Sequence, residues 1–362
     1  MKKEEKLSAR QFLLLNWCAL LSPLVRQTPL SLVRLAGAGA WVSALLAAVP
    51  LLGMLALLRS LLLRCGDGEG LGYCFLRALG AVPGRLVLGL CTLWILFYAG
   101  FVLRSGADRF IATVYPDRRA APFILVMGAL GLMAGLGRLK ILGRFAEITA
   151  PVLIALFLLL FPGILSHGDW SEPLSLTDAD ALPILRGVFP AADTLSLAAL
   201  GAFVWGKTER GGVKGWVRGI FGTVLLMAAL CFSSVGVFGT ALTARLYYPF
   251  FVLLRNVQPF HLTERIEPLL IAQWVVTDFL LFSLLLHGAE ENMKLCLGGD
   301  EDGRTRRLLA ALFAALLSAF LCADSSFALI RLSSTLIPAG NAVLLFGVLP
   351  TIWCVGRLRH TI

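Results

Sequence analysis

Apolar residues do not alternate with polar ones along this chain; they run in blocks, and the blocks are long enough to cross a bilayer. A helix rising ~1.5 Å per residue needs about 20 predominantly apolar residues to span ~30 Å of hydrocarbon. Such blocks fall at roughly 11–34, 38–63, 84–104, 121–138, 144–166, 184–207, 214–240, 266–295, 307–324 and 334–357. The pattern predicts an all-α polytopic membrane protein of about ten transmembrane helices. Short charged connections separate the blocks, so the 362 residues form a single transmembrane domain with no room for a sizeable soluble one. The N-terminal Met-Lys-Lys-Glu-Glu-Lys start reads as the flank of an uncleaved first span, because the apolar run after it is too long for a signal peptide.

Charge adds the orientation. Hydrophobic residues make up 58% of the chain and charged ones 15%, with a formal net charge of +10. Most Lys and Arg fall on alternate connections and at both ends, whereas the connection at 166–184 is acidic, with Asp169, Glu172, Asp178 and Asp180. The positive-inside rule then predicts both termini cytoplasmic and an even number of spans. The basic residues mark membrane boundaries instead of forming one patch, which argues for lipid and against nucleic acid as a partner. Eight cysteines stand singly, and four dispersed histidines complete no ligand set, so neither a metal site nor a cofactor is expected. No nucleophile–base constellation marks an enzyme.

Two kinds of interruption break the apolar blocks. Gly131 and Gly135 in span 4, and Gly211, Gly215 and Gly219 at the start of span 7, have the four-residue spacing of close helix contacts. Gly66, Gly68, Gly70 and Gly72 lie in a cytoplasmic connection with no strand before them and read as a flexible turn, not a nucleotide loop. Spans 1 and 6 are different. Span 1 carries Ser22-Pro23 and Arg26-Gln27-Thr28-Pro29; span 6 carries Pro183, Pro190 and Ala191-Ala192-Asp193-Thr194. Proline removes a backbone donor, and the carbonyls it frees survive at membrane depth only inside protein or beside a polar cavity. Interruptions at matched places in two five-helix halves, about 11–166 and 184–357, predict an inverted-repeat transporter fold with helices 1 and 6 unwound near 22–28 and 190–194.

The chain resembles the B subunit of bacterial spore germinant receptors, a branch of the amino acid/polyamine/organocation transporter superfamily. The resemblance is carried by Leu7-Ser8-Ala9-Arg10-Gln11, Ala36-Gly37 followed by Trp41, Val102-Leu103-Arg104, Arg144-Phe145-Ala146-Glu147 with Pro151, and Glu264-Arg265-Ile266-Glu267. It implies a nutrient-sensing subunit of the spore inner membrane. Such a subunit assembles with an A subunit and a lipoprotein C subunit, and binds an amino acid or similar small nutrient to trigger germination. The alternative is a proton- or sodium-coupled amino-acid transporter on the same scaffold. Where the family usually carries a Leu-Thr-Leu-Pro-like run, this chain has Arg26-Gln27-Thr28-Pro29.

The predicted ligand wall comprises Ser22, Arg26, Gln27 and Thr28 of span 1, Tyr98 of span 3, Ala192, Asp193 and Thr194 of span 6, and Thr277 and Asp278 of span 8. Arg26 and Asp193 are expected to face one cavity, pairing with each other or with opposite ends of a ligand; the plainer reading has Arg26 snorkelling outward and Asp193 capping half of helix 6. Asp278 sits at mid-span, where a charge costs ~2.5–3.5 kcal/mol on insertion scales, so it is either functional or neutralised by a neighbour. Trp94 reads as packing, and His287 as a satisfied buried histidine. Arg144 and Glu147, three residues apart, are expected to form a gate or a local ion pair. Arg104 and Asp108 are expected at the outer interface.

Overall fold

The computed structural model describes residues 6–64, 66, 68–114, 119–209, 213–256, 263–299 and 301–361. The side chains of Gln27 and Glu264 to Glu267, together with Lys2, Lys3, Cys65, Gly211 and His261, lie outside the described residues.

Among the described residues sixteen α-helices follow one another: α1 (Ala9–Ala36), α2 (Ala40–Leu46), α3 (Ala48–Leu62), α4 (Leu71–Leu79), α5 (Ala81–Thr113), α6 (Ala121–Leu136), α7 (Leu139–His167), α8 (Ser171–Leu174), α9 (Ala181–Ser196), α10 (Val213–Thr243), α11 (Pro249–Asn256), α12 (Thr263–Leu297), α13 (Arg304–Leu321), α14 (Ser326–Ser334), α15 (Leu336–Ala342) and α16 (Leu349–Leu358). Among the described residues there is no strand, and a lone bridge joins Leu7 to Thr208. Seven helical stretches among the described residues are long and apolar enough to cross a membrane; Ala121–Leu136 is apolar but shorter. Their outward faces carry Val49, Val82, Met133, Ile148 and Leu158, all exposed, as a lipid-facing sheath requires. The chain is an all-α polytopic membrane protein.

α1 opens on a capping box: Gln11 N–H donates to Ser8 Oγ at 3.2 Å, and Ser8 N–H donates to Gln11 Oε1 at 3.1 Å. The helix then runs unbroken to Ala36 with Pro23 and Pro29 inside it. The expected unwinding near 22–28 is therefore absent. Each proline deletes one donor, and a helix embraced by α7, α9, α10 and α12 keeps its remaining bonds. α9 likewise stays helical through Pro190, so the backbone at 190–194 is not unwound either. The irregularity comes later, where Leu197–Lys207 continues as a 3-10 helix of 11 residues. Runs beyond about four residues are uncommon in that geometry and mark strain or a hinge.

α5 extends well past the predicted end of span 3 and carries Ser105, Asp108 and Arg109 within its helical length. Small residues set the helix contacts, as expected at Gly131, where a side chain would strike the Phe282 ring of α12. At Gly135 it would crowd Leu308 of α13. At Gly100 the neighbour is backbone: a Cβ would run into the Ala315 carbonyl of α13. Gly100→Leu is expected to push α5 from α13 at a cost of about 1–3 kcal/mol or more, read as a lower melting temperature of the purified protein; an unchanged melt would mean that the two backbones are not in contact.

Both ends of the described chain reach the same end of the bundle. Leu7 N–H donates to the Lys207 carbonyl at 2.8 Å, and Arg359 reaches the Ala78 and Leu79 carbonyls at 3.2 Å. Nearby, Arg304 donates to the carbonyls of Gly135 and Gly137 at 3.0 and 2.9 Å. At the opposite end, Glu172 accepts from the N–H and hydroxyl of Thr240 at 3.0 and 2.7 Å, next to the kink at Gly239, whose φ is 73°. There Asp180 accepts from the N–H and hydroxyl of Thr177 at 2.8 and 2.9 Å.

Candidate ligand-binding site

Helical periodicity brings three faces together around one cavity of about 310 Å³, the low end of the ~300–1,000 Å³ usual for small-ligand pockets. Pro23, Arg26 and Leu30 share a stripe of α1, and Pro190, Asp193, Thr194 and Leu197 share one of α9 that continues into its 3-10 extension. Tyr98, Ser105 and Asp108 do the same on α5. Tyr247 and Tyr248, between α10 and α11, and Ser333 and Ser334 of α14 complete the wall.

Two side chains in this wall carry unmet polar demand. Arg26 is 3% exposed, and none of its three guanidinium nitrogens has a hydrogen-bond partner among the described residues. Its guanidinium lies 5.3 Å from the centre of the Phe101 ring, a cation–π contact that offsets only part of the lost hydration. Asp193 is 5% exposed, and its Oδ1 also lacks a partner. The two do not form an ion pair with each other. An uncompensated charge at membrane depth is costly, and this one cavity holds a guanidinium and a carboxylate oxygen that have no hydrogen-bond partner among the described residues.

Behind this wall lies a second polar cluster. Asp278 of α12 is ion-paired with Arg109 of α5 and accepts a hydrogen bond from the Ser22 hydroxyl. Arg109 is 1% exposed and stands 4.9 Å from the centre of the Trp274 ring. Gly106 makes the approach possible: a Cβ there would sit 2.8 Å from Asp278 Oδ2. Asp278 and Ser22 thus serve a buried ion pair and do not line the cavity. Thr277 donates to the Trp274 carbonyl at 3.1 Å, Ala192 is buried off the wall, and Thr28 is buried with its hydroxyl unpartnered. Thr194 does line the cavity, although its hydroxyl is bonded back to the Pro190 carbonyl at 3.2 Å. Gln27 lies outside the described side chains.

Arg144 and Glu147 do not form the expected pair. Arg144 points outward, exposed, while Glu147 accepts from Gln11 Nε2 of α1 at 3.0 Å, because that face of α7 is packed on α1. Asp108 is not merely interfacial: it accepts from the Tyr247 hydroxyl at 3.0 Å and from the Ser326 hydroxyl at 2.6 Å, tying α5 to the segments that roof the cavity. Trp94 donates to Asn341 Oδ1 at 3.0 Å. His287 lies 3.2 Å from the Ala134 carbonyl through Nε2, and its Nδ1 has no partner among the described residues.

Sequence reasoning missed Arg109, Tyr247, Tyr248 and the α14 serines. A signal existed for Arg109: Ser105-Gly106-Ala107 after Arg104 is as compatible with a continuing small-residue helix face as with a loop. The tyrosine pair at 247–248 and the serine pair at 333–334 had no periodic partner to flag them.

No curated protein matches the chain. The family model for spore germination proteins, the spore permease model, matches residues 6–327, a span that includes α1, α5, α9 and α12 and hence both polar clusters. A match of that extent on an all-helical membrane bundle is decisive, and the chain belongs to the spore germination protein family of membrane permeases.

Proposed function

We propose that the chain is a nutrient-sensing subunit of a spore germinant receptor, binding a small zwitterionic molecule such as an amino acid in the cavity between α1, α5 and α9. One observation carries this reading: Arg26 and Asp193, of opposite sign and both without a hydrogen-bond partner on the atoms named above, line one cavity. Arg26 takes the ligand carboxylate and Asp193 its amine. In this reading the A subunit and the lipoprotein C subunit receive the resulting conformational change at the spore inner membrane. The termini are cytoplasmic, supported by the Lys- and Arg-rich face where both chain ends meet. The halves at about 11–166 and 184–357 are taken as an inverted pair.

A secondary transporter is the second reading, favoured by the 3-10 stretch Leu197–Lys207, which runs from the cavity wall to the chain-end face and offers a hinge for alternating access. Titrating purified full-length protein with amino acids, nucleosides and sugars, followed by flux in proteoliposomes, separates the two. Saturable binding of a zwitterion without flux supports the receptor. Saturable flux of the same compound supports the transporter. Binding confined to uncharged sugars or nucleosides would remove the role given to Arg26 and Asp193.

A further inference from the structure

A separate cavity of about 170 Å³ lies at the end of the bundle where Leu7 is bonded to Lys207. Lys6, Arg138, Lys207 and Lys294 line it against the carboxylate of Glu291. Lys207 is ion-paired with Glu291. Lys6 and Arg138 have no side-chain ion-pair or hydrogen-bond partner among the described residues. With Lys207 paired to Glu291, Lys6 and Arg138 leave the walls with a surplus of positive charge.

The backbone enforces this crowding. Leu7 N–H donates to the Lys207 carbonyl, and Glu209 N–H donates to the Leu7 carbonyl, both at 2.8 Å, so Lys6 is held in register beside Lys207. Gly68 and Gly70, expected in a free turn, are instead pressed on the end of the 3-10 helix. A side chain at Gly206 would meet the Gly68 carbonyl, and one at Gly70 the Phe203 carbonyl. Gly68 and Gly70 form a cavity wall, with φ of +83° at Gly68.

Helix ends explain Lys207 but not the rest. Lys207 closes a helix, where a cation complements the terminal carbonyls. Arg138 has the opposite placement: it is the N-cap of the 29-residue α7, whose positive end disfavours a cation, and it makes no capping bond. A long helix N-terminus, two cations without partners and a held pair of lysines converge on one small space, which is the construction of an anion site. The Tyr73 hydroxyl, in the same wall, is a further donor. The volume falls below the ~300 Å³ at which drug-sized pockets begin, which fits a phosphate group better than a nucleotide.

We propose that this cavity binds a phosphate anion, presented by the headgroup of an acidic membrane lipid or free in solution. The site is distinct from the Arg26–Asp193 cavity and stands whatever that cavity binds. Its position at the basic end of the bundle places it where acidic headgroups collect.

The test uses delipidated full-length protein in a neutral detergent, with native mass spectrometry after adding phosphatidylglycerol or phosphatidylcholine, and thermal melts against inorganic phosphate. Retention of phosphatidylglycerol that falls about tenfold or more in a Lys6→Gln/Arg138→Gln variant, with phosphatidylcholine unaffected, supports the site with lipid as the source. A phosphate-dependent rise in melting temperature, lost in the variant and without lipid preference, supports it with free anion as the source. Arg138→Gln alone, altering one exposed side chain, serves if the double variant does not fold, and Tyr73→Phe should weaken retention by a smaller factor. Arg306→Gln removes the same single charge as Arg138→Gln, but outside the cavity. Equal retention and equal phosphate response in wild type and the Lys6/Arg138 variants, or an equal loss in Arg306→Gln, would overturn the proposal.

Discussion

Asp278→Ala is expected to destabilise the protein by about 3–5 kcal/mol, the range for removing one partner of a buried ion pair. Arg109, 1% exposed, would keep its charge with the Trp274 ring beside it and no carboxylate to pair with among the described residues. Relocating that guanidinium to water would require unpacking α5 from α12. Arg109→Ala should cost a similar amount, since it strands Asp278 with the Ser22 hydroxyl alone. The informative variant is the pair Arg109→Met with Asp278→Leu. Replacing both charges by apolar groups of similar volume removes the desolvation penalty along with the attraction, so most of the lost stability should return. A double-mutant cycle on melting curves in detergent measures this, and additive single effects would mean that the two side chains do not interact. Ser22→Ala, which removes one hydrogen bond to a charged group, should cost about 1.5–3 kcal/mol.

Arg26→Leu should act with opposite signs on stability and on binding. The guanidinium has no hydrogen-bond partner among the described residues and is 3% exposed, so its removal should leave stability unchanged or raise it. Affinity for a ligand carboxylate should fall by about 2–5 kcal/mol, or roughly thirtyfold to a few thousandfold, because a desolvated charge pair would lose one member. Arg26→Lys keeps the charge without the planar fork and should fall between. Asp193→Asn should weaken ligands carrying an amine and spare analogues without one. Isothermal titration with paired analogues reads all three variants. Retained wild-type affinity in a folded Arg26→Leu protein would sink the assignment of this residue to the ligand.

The parts of the molecule that were legible in the sequence are those that one helix settles alone. The spans need only apolar runs matched to bilayer thickness. The Gly131 and Gly135 contacts follow from spacing on one helix face. Arg26 and Asp193 could be placed at a common depth by counting along two helices, and both line the cavity. By contrast, the expected break in α1 rested on the behaviour of proline in an isolated helix, whereas four neighbouring helices hold α1 straight enough to remain continuous. The Arg144–Glu147 pair failed for a related reason. Spacing three apart permits the contact, but Gln11 of another helix offered Glu147 a better partner.

By itself the sequence determined the environment of this protein: an all-helical bundle in lipid, because backbone groups at membrane depth must be satisfied within each apolar segment. It also determined which polar residues were too costly to be incidental, among them Arg26, Asp193 and Asp278. Only the tertiary structure decided what became of each of them. Asp278 is matched by Arg109, 169 positions away, through a gap that Gly106 leaves open. Arg26 and Asp193 are brought to one cavity with no hydrogen bond made by the guanidinium or by Asp193 Oδ1. Lys6 and Lys207 are set side by side by a bridge between residues 7 and 208, and Arg138 meets them from the start of α7. The physical reason is that the cost of burying a charge is set by the residue and its depth, whereas its compensation depends on atoms brought in from distant parts of the chain.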